Sequence, residues 1–285
     1  MDKIAFLGTG LMGAALAEAA ARRGAQVSAW NRTEARARPL AALGVRVAQT
    51  VAEAVAGAER VHIMVSDDAA VDAVLAAAGA ALGSAVIIDH STVSPAGVIA
   101  RAAALAARGI GFLHAPVFMS PQMCRQAGGV MLCSGPRPLF ERMEPALKAM
   151  TGALHHLGER ADLAAANKLF GNAMIVTITA GLADVYTMAA SLGIDAREAH
   201  ALFARFNPAA VINYRGGAMS RGEYQASFEL TMARKDVRLM IESAAAARAP
   251  LAVLPRIAER MDQLIAEGHG ARDLGVLAVD AVPAK

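Results

Sequence analysis

The chain has 285 residues, of which 55% are hydrophobic, 19% charged and 4% aromatic. That length allows two domains and a sizeable core, and the alanine-rich, aromatic-poor composition excludes a disordered chain, a disulfide scaffold and most all-β folds. The formal net charge is +3 with a pI near 9.1, but the basic residues are scattered rather than gathered into a stripe with aromatics, which argues against a nucleic-acid partner.

From Lys3 to about His156, strand-like runs alternate with helical ones. The predicted strands are Ile4–Leu7, Gln26–Trp30, Val45–Val47, Val61–Val65, Ala85–Asp89, Gly111–Ala115 and Val130–Cys133. Between them, helices are predicted over Leu11–Arg23 before Gly24, Glu34–Leu43 before Gly44 and Ser94–Arg108 before Gly109. Such alternation implies an α/β fold built on a doubly wound parallel sheet. After Gly158 the β signal fades, and one long helix is predicted from Asp162 to Leu192, closed by Gly193. The expected division is therefore 1–160, α/β, and 161–285, all helical, joined through that long helix.

A membrane span needs ~20 mostly apolar residues, and the nearest approach, Ala173 to Ile194, is interrupted by Asp184, Tyr186 and several threonines. The first residues run straight into a strand, so no signal peptide is expected. Cys124 and Cys133 are the only cysteines, so a reducing, cytoplasmic setting is expected, with no membrane partner.

Gly8-Thr9-Gly10-Leu11-Met12-Gly13 follows the first strand and opens a helix. In this setting the first Gly makes the tight turn, the second lets the backbone approach a pyrophosphate, and the third allows close helix–strand packing. The helix N-terminus adds N–H donors and a positive dipole. This is the pattern of a Rossmann-type dinucleotide site. The second strand ends in Trp30-Asn31-Arg32-Thr33. An NAD site usually has an acid there for the ribose; Arg32 instead offers a guanidinium for a 2′-phosphate, with Asn31 and Thr33 as neighbouring donors. NADP(H) is favoured over NAD(H). Thr33 also suits an N-cap.

Asp89-His90-Ser91-Thr92 lies just past the fifth strand, at the edge where such sheets bind ligands. Ser94-Pro95 already supplies an N-cap and first helical residue, which leaves the Ser91 and Thr92 hydroxyls for a substrate. Of the 28 basic residues only five are Lys: Lys3, Lys148, Lys168, Lys235 and Lys285. Lys168 sits in a nearly all-apolar helical stretch with Asn172 four residues on, on the same face. An Arg there could hold an anion but could not release a proton; a partly desolvated Lys can serve as general acid or base. The plainer alternative is a Lys snorkelling from an interface.

These motifs together resemble the β-hydroxyacid dehydrogenase family, which includes 3-hydroxyisobutyrate dehydrogenase and tartronate semialdehyde reductase and is related to 6-phosphogluconate dehydrogenase. The resemblance covers essentially the whole chain. It is carried by Phe6–Gly13, Asp89–Pro95, Ala115-Pro116-Val117, Lys168-Leu169-Phe170-Gly171-Asn172, and Phe228 followed by Lys235-Asp236. It implies that Lys168 is the catalytic acid/base, that Asn172 orients substrate or lysine, and that Ser91 holds the substrate. It further implies that Lys235 reaches the cofactor and that Val65 and Ser66 line the adenosine side. Hydride transfer between nicotinamide and a carbonyl or alcohol carbon is the reaction implied.

Where relatives acting on small hydroxyacids follow Ala-Pro-Val with a Gly-rich turn, this chain has Phe118-Met119-Ser120-Pro121, which narrows the approach and adds apolar surface to the substrate side. His114 stands where an acid is common, and the turn before the long helix reads Gly158-Glu159-Arg160-Ala161-Asp162. His90 and His114 read as hydrogen-bonded structural groups, and the cysteine and histidine spacings give no metal site. The leading expectation is an NADPH-dependent reductase of a small aldehyde or ketone. An imine reductase is the alternative, with Phe118-Met119 in its favour and Lys168 against; a non-catalytic NADP-binding protein is the third. Surplus apolar helix surface predicts a homodimer, or a tetramer.

Overall fold

The computed structural model describes residues 2–285, which divide by internal packing into two compact units, one ending at Asn172 and the other spanning Ala173–Lys285. The first unit opens with β1 (Lys3–Leu7), α1 (Leu11–Arg22), β2 (Gln26–Trp30), β3 (Arg46–Val47) and α2 (Val51–Val55). It continues through β4 (Arg60–Ile63), α3 (Asp68–Ala78), β5 (Val86–Asp89), α4 (Pro95–Ala106) and β6 (Phe112–His114). Then come β7 (Val117–Phe118), α5 (Pro121–Arg125), β8 (Val130–Cys133), α6 (Arg137–Lys148), β9 (Ala153–His156) and the first turns of α7 (Leu163–Ser191).

Six strands form one parallel sheet in the order β3-β2-β1-β4-β5-β6. The winding reverses between β1 and β4, which opens a crevice at their carboxyl ends. Side chains alternate across the sheet. Phe6 and Ile88 enter one core with Leu16, Phe140 and Leu147, while Leu7 and Ile87 enter the other with Val55, Val71 and Leu75. Both faces are covered, so β1 and β5 read as nearly continuous apolar runs, whereas β2 and β4 still alternate polar and apolar residues.

Three details differ from the sequence expectation. The segment over Glu34–Leu43 is not one α-helix but two 3₁₀ turns, Glu34–Arg36 and Arg38–Leu43. Pro39 has no N–H to give to the preceding turn and its ring crowds it, so the α ladder cannot run through. Val130–Cys133 forms as predicted, but in a separate sheet, antiparallel to β7 and parallel to β9. Strands β7 and β9 were not predicted: the first is only two residues long and directly follows Pro116, and Ala-Leu-His-His in the second contains no β-branched residue.

The second unit holds the rest of α7 with α8 (Ala196–Ala201), α9 (Ala210–Met219), α10 (Leu230–Ser243) and α11 (Leu254–Leu264). Leu230, Ala233 and Val237 of α10 pack on Ala258, Met261 and Leu264 of α11, closed by Tyr224 and Val276. By length and mean hydropathy, 1.5 over its most apolar stretch, α7 alone among the described helices could cross a membrane. Asp184 interrupts it as the sequence suggested. Its buried carboxylate accepts the backbone N–H groups of Ala252, Val253 and Leu254, and so caps the start of α11. Asp273 works similarly, accepting from Arg215 and from the N–H groups of Ser227, Phe228 and Gly275. Burial alone would raise the Asp273 carboxyl, but these donors outweigh it and hold it far below the usual range.

Candidate functional site

The three glycines after β1 have different surroundings. A Cβ on Gly8, whose φ is +95°, would meet the Met64 carbonyl oxygen at 2.2 Å, and one on Gly13 would meet the Gly8 carbonyl oxygen at 2.0 Å. A Cβ on Gly10 would meet nothing within 4 Å. Gly8 and Gly13 are therefore needed for packing within the protein, whereas Gly10 keeps backbone bare toward an open space. That is the condition for a pyrophosphate to approach, and the loop fits a dinucleotide.

The space is a cavity of about 450 Å³ bounded by Gly10, Leu11 and Met12 on one side, Asn31 to Thr33 on another, and Val65 and Ser66 on a third. Three separated segments of the sequence thus meet around one crevice at the carboxyl ends of β1, β2 and β4. Asn31 fixes the corner: its Oδ1 accepts the Thr9 N–H at 3.0 Å and its Nδ2 donates to the Thr33 carbonyl at 2.9 Å. Its side chain holds two loops rather than standing free as a donor. The buried Thr9 hydroxyl has no partner. Thr33 precedes the first 3₁₀ turn without a side-chain capping bond, so its hydroxyl is uncommitted.

Arg32 is exposed at this cavity, and Arg36 lines it too. Arg36 was missed from sequence, although its spacing of four from Arg32 was a visible signal. Across from them, Asp67 receives the Ser66 hydroxyl at 2.8 Å and the Ala70 N–H. Those bonds, with a smaller contribution from Arg32, hold its carboxyl below the ordinary value.

Past β5, Ser94 caps α4 as expected, accepting the Gly97 N–H at 3.1 Å. Ser91 is buried; its Oγ accepts the Val65 N–H at 3.0 Å, which ties the loops after β4 and β5 together and leaves the hydroxyl proton to donate. Thr92 is exposed. His90 donates from Nδ1 to the Ala115 carbonyl at 2.6 Å, as expected of a structural histidine; His114 departs from that expectation, being wholly buried with Nδ1 3.6 Å from Asp89 and neither ring nitrogen hydrogen-bonded among the described residues.

Lys168, in the second turn of α7, is half-buried. Its Nζ donates to the Val117 carbonyl at 2.8 Å and stands 3.8 Å from the centre of the Phe118 ring. Burial pushes the ammonium below the ordinary lysine value, and no carboxylate among the described residues pairs with it. The tip of the ring abuts α7: a Cβ at Gly171 would strike Phe118 Cζ at 2.3 Å. Gly171 therefore makes the space Phe118 fills, a relation that sequence spacing does not reveal. Asn172 follows one turn after Lys168, partly exposed. Met119 is partly exposed beside Phe118, and the Ser120 hydroxyl is taken up in capping α5, accepting the Met123 N–H at 3.2 Å. In the second unit, Lys235 of α10 pairs with the adjacent Asp236 at 2.9 Å.

Two family matches cover nearly the whole chain. Residues 3–158 match the NAD-binding domain of 6-phosphogluconate dehydrogenase, and residues 163–278 match the NAD-binding domain of NADP-dependent 3-hydroxyisobutyrate dehydrogenase. The chloroplastic glyoxylate/succinic semialdehyde reductase 2 of Arabidopsis thaliana is 29% identical over 84% of this chain and 68% of its own length. An uncharacterized oxidoreductase of Bacillus subtilis, YfjR, is 26% identical over 96% of this chain and 98% of its own. Among solved structures, an imine reductase from Myxococcus stipitatus in complex with NADP+ superposes with a TM-score of 0.90 at 22% identity. That match covers 98% of this chain and 99% of the reductase, a likeness of fold.

Proposed function

The chain belongs to the β-hydroxyacid dehydrogenase family of NAD(P)-dependent oxidoreductases, and on that footing we propose that it is an NADPH-dependent reductase of a small aldehyde or ketone, such as a semialdehyde carrying an acid group. The cofactor is NADP(H), held by the Gly8–Gly13 loop, with Arg32 and Arg36 at the end of the crevice where a 2′-phosphate would lie. When bound, it supplies the hydride for the carbonyl carbon.

The observation that carries the proposal is Lys168. Its ammonium is partly desolvated, aimed by a carbonyl acceptor and unpaired with any carboxylate among the described residues, so it can give a proton to the forming alkoxide oxygen and recover it from solvent. In the oxidative direction the neutral amine takes the proton back. Asn172, one turn along, orients the substrate oxygen or the lysine, and the Ser91 hydroxyl donates to the substrate from the β5 edge. Phe118 and Met119 bound the substrate on its apolar side. Thr92 and Ser120 contribute polar surface at the rim, and the family resemblance assigns Lys235 to the cofactor. We take 1–160 as the cofactor half and 161–285 as the substrate and dimerisation half.

A second reading, imine reduction, is favoured by one specific observation: the Phe118 ring covers Lys168 and gives the acid an apolar wall suited to a substrate without a carboxylate. A panel of semialdehydes, oxoacids, ketones and cyclic imines with NADPH, followed at the nicotinamide absorbance band, separates the two. Turnover of aldehydes or oxoacids without imines supports the first reading, and imine turnover alone replaces it.

The exposed apolar residues of α7, among them Phe170, Ile175, Val176 and Ile178, support a homodimer. Two free buried thiols, Cys124 and Cys133, fit a cytoplasmic enzyme.

A further inference from the structure

A second cavity, of about 570 Å³, lies at the amino-terminal edge of the six-stranded sheet, between the end of α1, the starts of β1 and β4, and α6. Its floor is apolar, formed by Ile4, Phe6 and Met143, and three arginines surround it: Arg23, Arg60 and Arg142. Arg60 is paired with Asp2 at 2.9 Å; Arg23 and Arg142 have no ion-pair partner among the described residues. Two buried polar atoms on this wall lack any hydrogen bond, Arg60 Nε and His62 Nε2. A single water could bridge them, but a water occupies only ≈ 30 Å³, and the cavity is far larger.

Hydrogen bonds across the sheet fix the protonation of His62. His90 Nδ1 faces the Ala115 carbonyl, which only accepts, so that nitrogen carries the hydrogen. Neutral His90 therefore offers a lone pair at Nε2, which stands 2.9 Å from His62 Nδ1, so His62 Nδ1 is also the donor. That leaves His62 Nε2 bare and facing away from His90. The charged and titratable groups around His62 are Arg60 on its own strand, Arg23 after α1, Arg142 on α6, Asp2 before β1, and His90 after β5. Burial foremost, then His90, Arg60 and Arg23, keep the imidazole uncharged near neutral pH.

We propose that this cavity is a second ligand site, taking a small organic carboxylate with an apolar body, and that its binding is coupled to proton uptake at His62. The apolar portion lies on Ile4, Phe6 and Met143, and the carboxylate meets the arginines, whose planar forks suit it. A carboxylate in contact with Nε2 offsets the repulsion of Arg60 and Arg23 and stabilises the protonated ring. His62 Nε2 then takes a proton from solvent and donates it to a carboxylate oxygen, while Nδ1 keeps its bond to His90.

The probe is sodium octanoate, titrated calorimetrically into the full chain with NADPH at saturation so that the dinucleotide crevice is filled. Runs at pH 6 and pH 8, each in two buffers of different ionisation heat, count protons. Octanoate remains ionised at both, since a carboxylate titrates near ~4–5. The expected result is saturable one-site binding that tightens as pH falls, with net proton uptake, and no binding of 1-octanol. Arg142→Ala, on the exposed face of α6, should weaken octanoate roughly tenfold or more, as loss of a charged hydrogen bond does, and leave NADPH affinity unchanged. His62→Gln should abolish both proton uptake and pH dependence. No heat at millimolar octanoate, equal affinity at the two pH values, or wild-type affinity in Arg142→Ala would overturn the proposal. The last of these does not depend on whether His62→Gln folds.

Discussion

Lys168 shows how a single side chain can be functionally legible when its type and its setting disagree. A chain that writes 23 of its 28 cations as Arg places a Lys in an apolar helix, where only the ability to give up a proton distinguishes it from Arg. The structure adds what spacing lacked: an acceptor for Nζ, the Phe118 ring beside it, and burial that lowers its pKa. The sign of the pH dependence follows. Carbonyl reduction needs the ammonium, so kcat/KM should be flat at neutral pH and fall as pH rises through a value below the ordinary lysine pKa, while oxidation should rise over the same range. Lys168→Arg keeps the charge but should cost about 10²–10⁴-fold in kcat, the usual worth of a positioned acid, with NADPH binding retained. A profile unchanged by the substitution would remove Lys168 from proton transfer. At the other end of the crevice, Arg32→Ala should weaken NADPH by roughly 10- to 100-fold, equivalent to the ~1.5–3 kcal/mol of a charged hydrogen bond, and leave NADH nearly unaffected. Because Arg36 lines the same cavity, the double Ala variant should lose more than either single one.

Elements were readable where one physical rule dominated and obscure where two competed. Gly8, Gly10 and Gly13 could be given separate roles from order alone because each step of the turn has a different steric demand, and the surroundings of the three glycines follow that order. The 3₁₀ turns at Glu34–Leu43 were hidden because alanine-rich periodicity argued for α-helix and only Pro39 argued against it. The contact of α7 with β7 was beyond reach, since it joins Gly171 to Phe118 across 53 positions of sequence. That contact makes a prediction at this scale. Gly171→Ala forces the Phe118 ring off α7 and away from Lys168, so it should destabilise by about 1–3 kcal/mol, the cost of overpacking. Phe118→Ala should relieve the clash, so the double variant should be more stable than Gly171→Ala, measured by urea denaturation. Additive losses would mean that the ring does not occupy the space Gly171 provides.

On the scale of the molecule, composition was informative about class and silent about use. High hydrophobicity with few aromatics signalled alanine-rich helices, and the chain packs as two compact units, one ending at Asn172, but nothing in composition says what covers an apolar surface. Along α7, Phe170 and Val176 are each about two-thirds exposed, with Ile175 and Ile178 about half exposed. Lipid is one possible cover for such a helix. Asp184 speaks against it, because its carboxylate is spent capping α11 inside a helical unit with its own core. A second copy of the chain fits better, since an isologous interface buries the same apolar face on both subunits at once. The proposed dimer is tested by placing a charge where the isolated chain would tolerate it. Ile175→Asp together with Val176→Asp alters only exposed positions, so helicity by circular dichroism should persist. Light scattering should fall from the dimer to the monomer mass, and melting of the wild type should rise with protein concentration while that of the variant does not. A wild-type chain that scatters as a monomer at micromolar concentration would refute the dimer. A variant that stays dimeric would move the interface off this part of α7, leaving the apolar face of α10, where Met232, Leu239 and Met240 are exposed, as the surface to change next.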